Sequence, residues 1–543
     1  MINIDIPLGK RTKEYRFFEM LPAILSYGSI ILLIVLSLIN PLWAAIYLLL
    51  FILTQFIKAL GIAFRTIHGR GLLDKAQKVD WAMRLADLKD PIKNAQKRKE
   101  ELKSNQSWRF NVHVDNLARL AKDAGEYPKP DDIYNAVIIA AYNEGIEVIE
   151  PTVKSVLDSD YDMKKVILIF AYEGRDGAQS EEACLELVKK YGKKFKHAYA
   201  VKHPLNEGEV RGKGGNITYA GRYLEKWLKE QSIAAKKVIV TTLDSDNRPH
   251  KSYFSYVTYE YIVHPDRLRV AFQPISLFLN NIWDAPAPMR VVATGNSFWN
   301  IISSTRPYSL RNFASHSQGM DALEKMDFWS VRTIVEDGHQ YWRSYFFFNG
   351  DYSVVPVYVP IYQDAVLTES YKKTLKAQFV QLRRWAYGAS DIAYVATRIF
   401  TRNRKVPFFP ALARLIRLID GHVSLAAMPL IIAFGAWVPL FLNSAASRSI
   451  IAHELPVAVS RIQQLALIGI VITVFLSFKM LPPRPARYKR HRSVFMALQW
   501  FLMPVTAICY TSSSAFYSQT RLLFGKYLDK FDVTQKSVKK DKK

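Results

Sequence analysis

The chain has 543 residues, too many for one ordinary hydrophobic core, so two or more regions are expected. Its 74 basic and 48 acidic residues leave a formal charge of +26, which suits either a nucleic-acid binder or a membrane protein with basic edges. Much of the excess flanks uncharged stretches: Lys10, Arg11, Lys13 and Arg16 precede one, and Arg484, Arg487, Lys489, Arg490 and Arg492 lie between two others, so the membrane reading displaces nucleic-acid binding.

Met20–Ile39 carries no charge and is as long as a spanning helix must be. Asn40-Pro41 separates it from Leu42–Phe64, whose only charge, Lys58, sits near one end where its stem can snorkel. Together, residues 1–64 read as a cytoplasmic N-terminus and a membrane hairpin, not a cleavable signal sequence. The basic residues at 10–16 and 65–70 put both outer ends in the cytoplasm, with the cell membrane as the expected location. Residues 65–134 are charged and helix-favouring, with Trp81, Leu85, Leu88 and Ile92 spaced for one helical stripe. This region reads as a linker packed on the next domain or, alternatively, as a binding element.

From Asn135 to about residue 395, short apolar runs alternate with amphipathic ones. Strands are expected at 136–141, 166–171, 197–201 and 238–243, with helices near 148–157, 179–191 and 217–231. Doubly buried strands with helices between them predict an α/β domain with a mostly parallel sheet and helices on both faces. Residues 396–421 carry Arg414 and Arg417 on an apolar segment and read as an interfacial helix. His422–Leu442 and Gln464–Met480 read as spans. A segment at 494–517, broken at Pro504, is expected to return to the cytoplasm, because a full span would send the basic tail of residues 518–543 outside. The two cysteines, Cys184 and Cys509, make no disulfide framework or metal cluster and fit a reducing cytosol.

Thr241-Thr242-Leu243-Asp244-Ser245-Asp246 is a β-branched apolar run that stops at two carboxylates. Such a strand delivers its acids to the carboxyl edge of a parallel sheet, where α/β folds place ligands. Two acids there suit a divalent cation whose shell a diphosphate completes, although a solvated loop would show the same residues. Ala141-Tyr142-Asn143-Glu144 follows the first strand, and Tyr172-Glu173-Gly174-Arg175-Asp176 follows the second; each reads as a nucleotide contact or as an ordinary turn. In Gly212-Lys213-Gly214-Gly215-Asn216, glycines let backbone approach a phosphate while Lys213 and a helix N-terminus supply positive charge, or the motif simply starts a helix. Val335-Glu336-Asp337-Gly338 could supply a general base. Gln381, Arg384 and Trp385 of Gln381-Leu382-Arg383-Arg384-Trp385 can share one helix face, as a ligand site or as packing and surface charge.

The order Tyr-Asn-Glu, Lys-Gly-Gly-Asn, Asp-Ser-Asp, Glu-Asp and Gln-x-x-Arg-Trp, flanked by membrane hairpins, resembles the family 2 glycosyltransferases. More narrowly, it resembles their membrane-integrated processive branch, which contains the cellulose and hyaluronan synthases. The resemblance implies a GT-A-type fold acting on a nucleotide diphosphate sugar, a UDP-sugar in that branch, with Mg²⁺ or Mn²⁺. It implies that Tyr142, Glu144 and Glu173 surround the base, that Lys213 and Asp244 contact the nucleotide, and that Asp246 with Asp244 holds the metal. Asp337 is then the catalytic base, Gln381 and Arg384 hold the diphosphate, and Trp385 with a Gly295–Trp299 loop meets the acceptor. The implied partners are a nucleotide sugar donor, a polysaccharide or lipid acceptor and membrane lipids, with secretion subunits left open. The sequence departs from the family pattern at Glu173, where Asp is usual, and at Val335, where Thr is usual. The acceptor loop lacks the cysteine of cellulose synthases, and no cyclic-dinucleotide-binding domain follows the last apolar stretch. A transferase adding one sugar to a lipid, and a transporter or scaffold carrying an inactive transferase domain, are the competing readings.

Overall fold

A computed structural model of the protein describes residues 4–7, 9–122, 127–174, 178–444 and 450–528, without the side chains of 451–453, 463, 465–470 and 473. At its centre is an eight-stranded sheet: β1 Tyr134–Ala141, β2 Val166–Glu173, β3 His197–His203, β4 Val238–Asp244, β5 Arg248–Pro249, β6 Val270–Leu277, β7 His316–Gly319 and β8 Ser353–Tyr362. The strand order is β3-β2-β1-β4-β7-β6-β8-β5. The pairs β1·β2, β1·β4, β2·β3 and β6·β8 are parallel, while β4·β7, β6·β7 and β5·β8 are antiparallel. The sheet is therefore mixed, with the expected parallel half formed by the first four strands.

Alternation along the strands builds the two faces. Val137 and Ile139 of β1, with Leu168 and Phe170 of β2, pack against Ile149 and Val153 of the Ile146–Leu157 helix and Leu187 of Ala178–Tyr191. Ala136, Ile138, Ile167 and Ile169 point the other way, onto Ile217, Ala220 and Leu224 of the Lys213–Glu230 helix and onto Trp329. Each such aliphatic side chain contributes about 1.5–3 kcal/mol by leaving water. The result is the α/β domain set among membrane-type helices that the sequence leads one to expect.

Four helical runs are long and apolar enough to cross a membrane: Lys13–Ile39, Pro41–Ala76, Phe408–Leu442 and His491–Leu523. Asn40 closes one helix and opens the next, donating its N–H to Leu36 O and accepting from Leu42 N on its side chain, with Pro41 at the first helical position. Leu33, Leu48, Ile52, Ile431 and Val459 pack between helices, while Leu50, Ile57 and Phe64 face outward. An outward apolar belt of this kind is favourable only against lipid.

Several boundaries differ from expectation. Lys58 does not simply snorkel: its ammonium lies 2.9 Å from Asp420 on the third run. The interfacial helix and the span after it are one helix, Phe408–Phe434, because nothing breaks the helical pattern at 421; Arg414 bonds the Tyr341 hydroxyl and Arg417 lies over Tyr308, so both face the α/β domain. The chain stays helical across Pro504, which falls at the start of a short helical turn, and a π-helical turn follows at Ala507–Ser512. Both ends of that run rest on the α/β domain, through Arg492 to Trp283 O and Ser518 to Arg383 O. The Ile450–Met480 helix contains the expected 464–480 span. Tail lysines from Lys530 onward lie outside the described residues.

The linker does not form one stripe. Asp90 caps a new helix at Pro91, so Trp81, Leu85 and Leu88 are buried while Ile92 is 65% exposed. Trp81 stacks on Tyr256 of the Tyr253–Val263 helix with ring centroids 3.5 Å apart. Trp81→Ala is therefore expected to cost about 3–5 kcal/mol and Ile92→Ala less than about 0.5 kcal/mol, measured by chemical denaturation of detergent-purified protein; equal costs would show that the linker does not hold the domain.

Candidate active site

The register of the parallel strands assembles the site. Ala140 pairs with Asp244 and Ala141 with Tyr172, so the turns carrying Tyr142, Glu173 and Asp244 leave the sheet along one edge. A cavity of about 650 Å³ opens there. Tyr142, Glu144, Glu173, Lys213, Asp244, Asp246, Gly295, Asp337, Gln381, Arg384 and Trp385 all line it, so these residues, drawn from every one of the sequence motifs, come to one place.

Lys213 opens the Lys213–Glu230 helix and reaches back across the edge, its Nζ 2.7 Å from Asp244 Oδ1 and donating to Ala314 O at 3.0 Å. Burial alone favours its neutral form, but Asp244, Glu336 and Asp337 outweigh this and hold its pKa above the ordinary value. Asp246 is buried, its Oδ2 accepting from the Asp364 N–H at 3.1 Å. Gly214 lies so close to the next loop that a Cβ there would meet Ser330 O at 2.3 Å.

That loop leads into the Glu336–Phe347 helix, whose first turn carries Glu336 and Asp337. Burial pushes both carboxyls up. Glu336 is raised further by its neighbour Asp337, so the pair gives up its protons less readily than two ordinary carboxyls. Asp337 is raised against the opposing pull of Lys213 and the Gly338 N–H, which donates to its Oδ1 at 2.7 Å.

The Tyr371–Ala386 helix presents Gln381, Arg384 and Trp385 to the cavity, and Trp385 approaches the Phe278 ring at 5.9 Å. Beyond them the cavity continues between the Phe408–Phe434 helix and the run after His491, where Leu418, Leu425, Met503 and Ala507 line it.

Two expectations change. Gly295 and Trp299 belong to a helix, Ala287–Ser304, rather than a loop; that stretch buries Met289, Val291, Phe298 and Ile301 along its length, and the helix exposes Gly295 to the cavity. Glu144 turns into its own turn: its carboxylate accepts from Tyr142 N at 2.6 Å and from Ser245 Oγ at 2.9 Å, which ties the first strand's turn to the Asp-Ser-Asp segment. Among the described residues, no group of three or more His, Cys, Asp or Glu side chains is disposed to hold a metal ion. Arg175 and Asp176 of the second turn lie outside the described residues. Sequence reasoning missed Arg311 and Asp391, which also line the cavity. Arg311 stands in an irregular loop without a motif, and only Asp391's place six residues after Trp385 gave any signal.

No model of a known protein family matches the chain, and no curated protein matches it. Among solved structures it is similar to a mannosyltransferase from Pyrobaculum calidifontis in complex with GDP-Man and Mn²⁺, at 17% identity over 82% of this chain and 99% of that one, with a TM-score of 0.41. It is similar to residues 1–349 of TarS from S. aureus in complex with UDP-GlcNAc, at 11% identity over 73% and 93% of the two chains, with a TM-score of 0.34. A third is glucosyl-3-phosphoglycerate synthase from Mycobacterium tuberculosis in complex with Mn²⁺, UDP and phosphoglyceric acid, at 15% identity over 51% and 80%, with a TM-score of 0.28. Likeness this distant leaves the chemistry to be argued from the chain's own residues.

The close approach at Gly214 makes a direct test. Gly214→Ala must displace the Ser330 carbonyl and press on Glu336 Cβ, 3.1 Å away, so it should destabilise the protein by about 1–3 kcal/mol in denaturation experiments. Gly295→Ala, where a Cβ meets nothing within 4 Å, should leave the same transition in place.

Proposed function

We propose that the protein is a membrane-bound inverting glycosyltransferase that moves a sugar from a nucleotide diphosphate sugar to an acceptor hydroxyl. The observation that carries this reading is that Lys213, Asp244, Asp246, Asp337 and Arg384 line one cavity. A donor diphosphate needs positive charge, which Lys213 and Arg384 offer, and an acceptor hydroxyl needs a base, which Asp337 offers.

In the proposed reaction, Asp337 takes the proton of the acceptor hydroxyl as that oxygen forms a bond to the anomeric carbon. The bond from that carbon to the diphosphate breaks, and the diphosphate leaves with the electron pair. Lys213 and Arg384 stabilise the charge it gains. The donor set at the strand edge, Asp244 with Asp246, fits a Mg²⁺ or Mn²⁺ ion that shares its shell with the diphosphate. Such an ion, when bound, would supply further charge neutralisation. Tyr142 and Glu173 suit the base end of the donor, a UDP-sugar if the family resemblance holds. Glu144 then acts through the turn it ties, rather than by touching the base.

The acceptor side is proposed to begin at Trp385, whose ring can stack on a sugar face. The apolar continuation of the cavity between helices supports an acceptor arriving from, or leaving into, the membrane. The family resemblance makes it a growing polysaccharide that crosses as it lengthens, with the α/β domain on the cytoplasmic side of the cell membrane. One sugar added to a lipid is the second reading, favoured by the apolar lining itself. Product length after incubation with donor distinguishes the two.

Asp337→Asn is expected to lower turnover by about 10²–10⁴-fold while nucleotide binding persists, measured by nucleotide release and by titration calorimetry. Unchanged turnover would remove Asp337 from the role. Because its carboxyl is raised and must be ionised to accept a proton, the acid limb of kcat/KM should lie above the ordinary Asp value of about 3.9. Lys213→Met removes a charge that holds Asp337 down, and should shift the limb to higher pH.

A further inference from the structure

We propose that Asp5 is a positioning residue for the proposed base: from the segment ahead of the first membrane-type helix it holds the 330–335 loop, and through that loop it fixes where Asp337 stands relative to Lys213. The effect on turnover rests on the glycosyl-transfer reading above; the hold on the loop does not.

Asp5 stands outside the cavity lining, so it can act only through other residues. Its segment is nevertheless built into the α/β domain. Ile4 and Ile6 are each 7% exposed, Ile4 beside Ala322 and Met326, and Ile6 in the cluster that holds Trp342, Tyr345 and Tyr394. Three successive carbonyls accept from side chains. Tyr394 Oη donates to Ile4 O and Arg398 Nη2 to Asp5 O at 3.3 Å, both from the Asp391–Phe400 helix. Arg332 Nη1, on the loop itself, donates to Ile6 O at 2.9 Å. A segment outside any helix or strand ordinarily gives its carbonyls to water; this one gives them to the domain.

The Asp5 carboxylate is where the segment meets the loop. Its Oδ1 accepts from Ser330 Oγ, and its Oδ2 lies 4.0 Å from Arg332 Nε. Ser330 Oγ accepts in turn from the Arg332 N–H at 3.2 Å, so one carboxylate governs the whole start of the loop. The opposite side of Ser330 connects it to the site. Its carbonyl oxygen is the atom that a Cβ on Gly214 would meet at 2.3 Å, with Glu336 Cβ at 3.1 Å. Gly214 follows Lys213 and Glu336 precedes Asp337, so the loop is pressed between the residues that carry the proposed cation and the proposed base. A displacement of about 1 Å between such groups can cost a reaction about 10²-fold. The same segment runs on into the Lys13–Ile39 helix, which anchors the hold in a helix of the membrane type.

The test uses the full-length protein in detergent and reads hydrogen exchange of peptides covering 330–347, kcat for nucleotide release from UDP- and GDP-sugars, and nucleotide affinity by calorimetry. Asp5→Ala should raise exchange in those peptides by about tenfold or more. It should lower kcat by about ten- to a hundredfold with nucleotide affinity retained, because Lys213 keeps its contacts to Asp244 and Ala314. Asp5→Asn, which still offers an acceptor to Ser330 Oγ, should restore most of kcat. Ser330→Ala should match Asp5→Ala, and the double variant should be no worse than either, since both break one link; Ser330→Ala also serves if Asp5→Ala does not fold. Unchanged exchange at 330–347 in both alanine variants would overturn the proposal. Raised exchange with unchanged kcat would overturn it too, by reducing Asp5 to a structural contact. An unaltered protein that releases no nucleotide sinks the donor reading instead, and the exchange result then decides the hold on the loop by itself.

Discussion

The contact between Lys213 Nζ and Asp244 Oδ1, at 2.7 Å, is the electrostatic centre of this molecule. Asp244, Asp246, Glu336 and Asp337 line one recess. Four carboxyls so placed repel one another, and burial raises the cost of ionising each. The structure meets that cost in two ways. Lys213, held by Asp244 and by the Ala314 carbonyl, keeps its proton and acts on Glu336 and Asp337 as well. Burial raises both Glu336 and Asp337, so the pair holds a proton more readily than two ordinary carboxyls and the repulsion within the set is eased. A cavity balanced this way is poised for a ligand that brings a cation and phosphates together.

Backbone fit holds the balance in place. Gly214 lets the Lys213 helix approach the Ser330 loop to a distance no side chain allows. Ser330 is in turn bonded to Asp5, and Arg332 to Ile6 O, so the segment ahead of the first membrane helix braces the loop that delivers Glu336 and Asp337. On the opposite side, Ser518 bonds Arg383 O and fixes the end of the helix that carries Gln381, Arg384 and Trp385. The cavity is thus bounded by elements tied to helices of the membrane type, and its shape depends on how those helices pack.

The parallel half of the sheet was legible because β1, β2 and β4 are nearly continuous β-branched or apolar runs, buried on both faces, that end at turns bearing polar side chains. The half formed by β5 to β8 was not. β7 is His316-Ser317-Gln318-Gly319, a polar strand whose burial comes from neighbours far away in the chain, and β8 contains Pro356 and Pro360. Neither carries a period that local reading can detect. The 287–304 helix hid for a related reason: Gly295, Asn296 and Ser297 in its middle look like loop residues, and tertiary packing of Met289, Phe298 and Ile301 overrides their propensity.

The same contrast explains which site residues the sequence revealed. Asp244, Asp246, Lys213 and Asp337 stand at the ends of strands or the starts of helices, where position along the chain fixes position in space. Arg311 stands in the stretch between the 287–304 helix and β7, and comes to the cavity only because β7 inserts between β4 and β6. That insertion carries the 311–315 segment beside β4, where Ala314 meets Lys213 and Asn247 meets Ser315. The long-range pairing that local reading could not see is therefore also what brings Arg311 to the cavity. Anything that loosened β7 would be felt first at Lys213 and Arg311 together, because one short segment positions both.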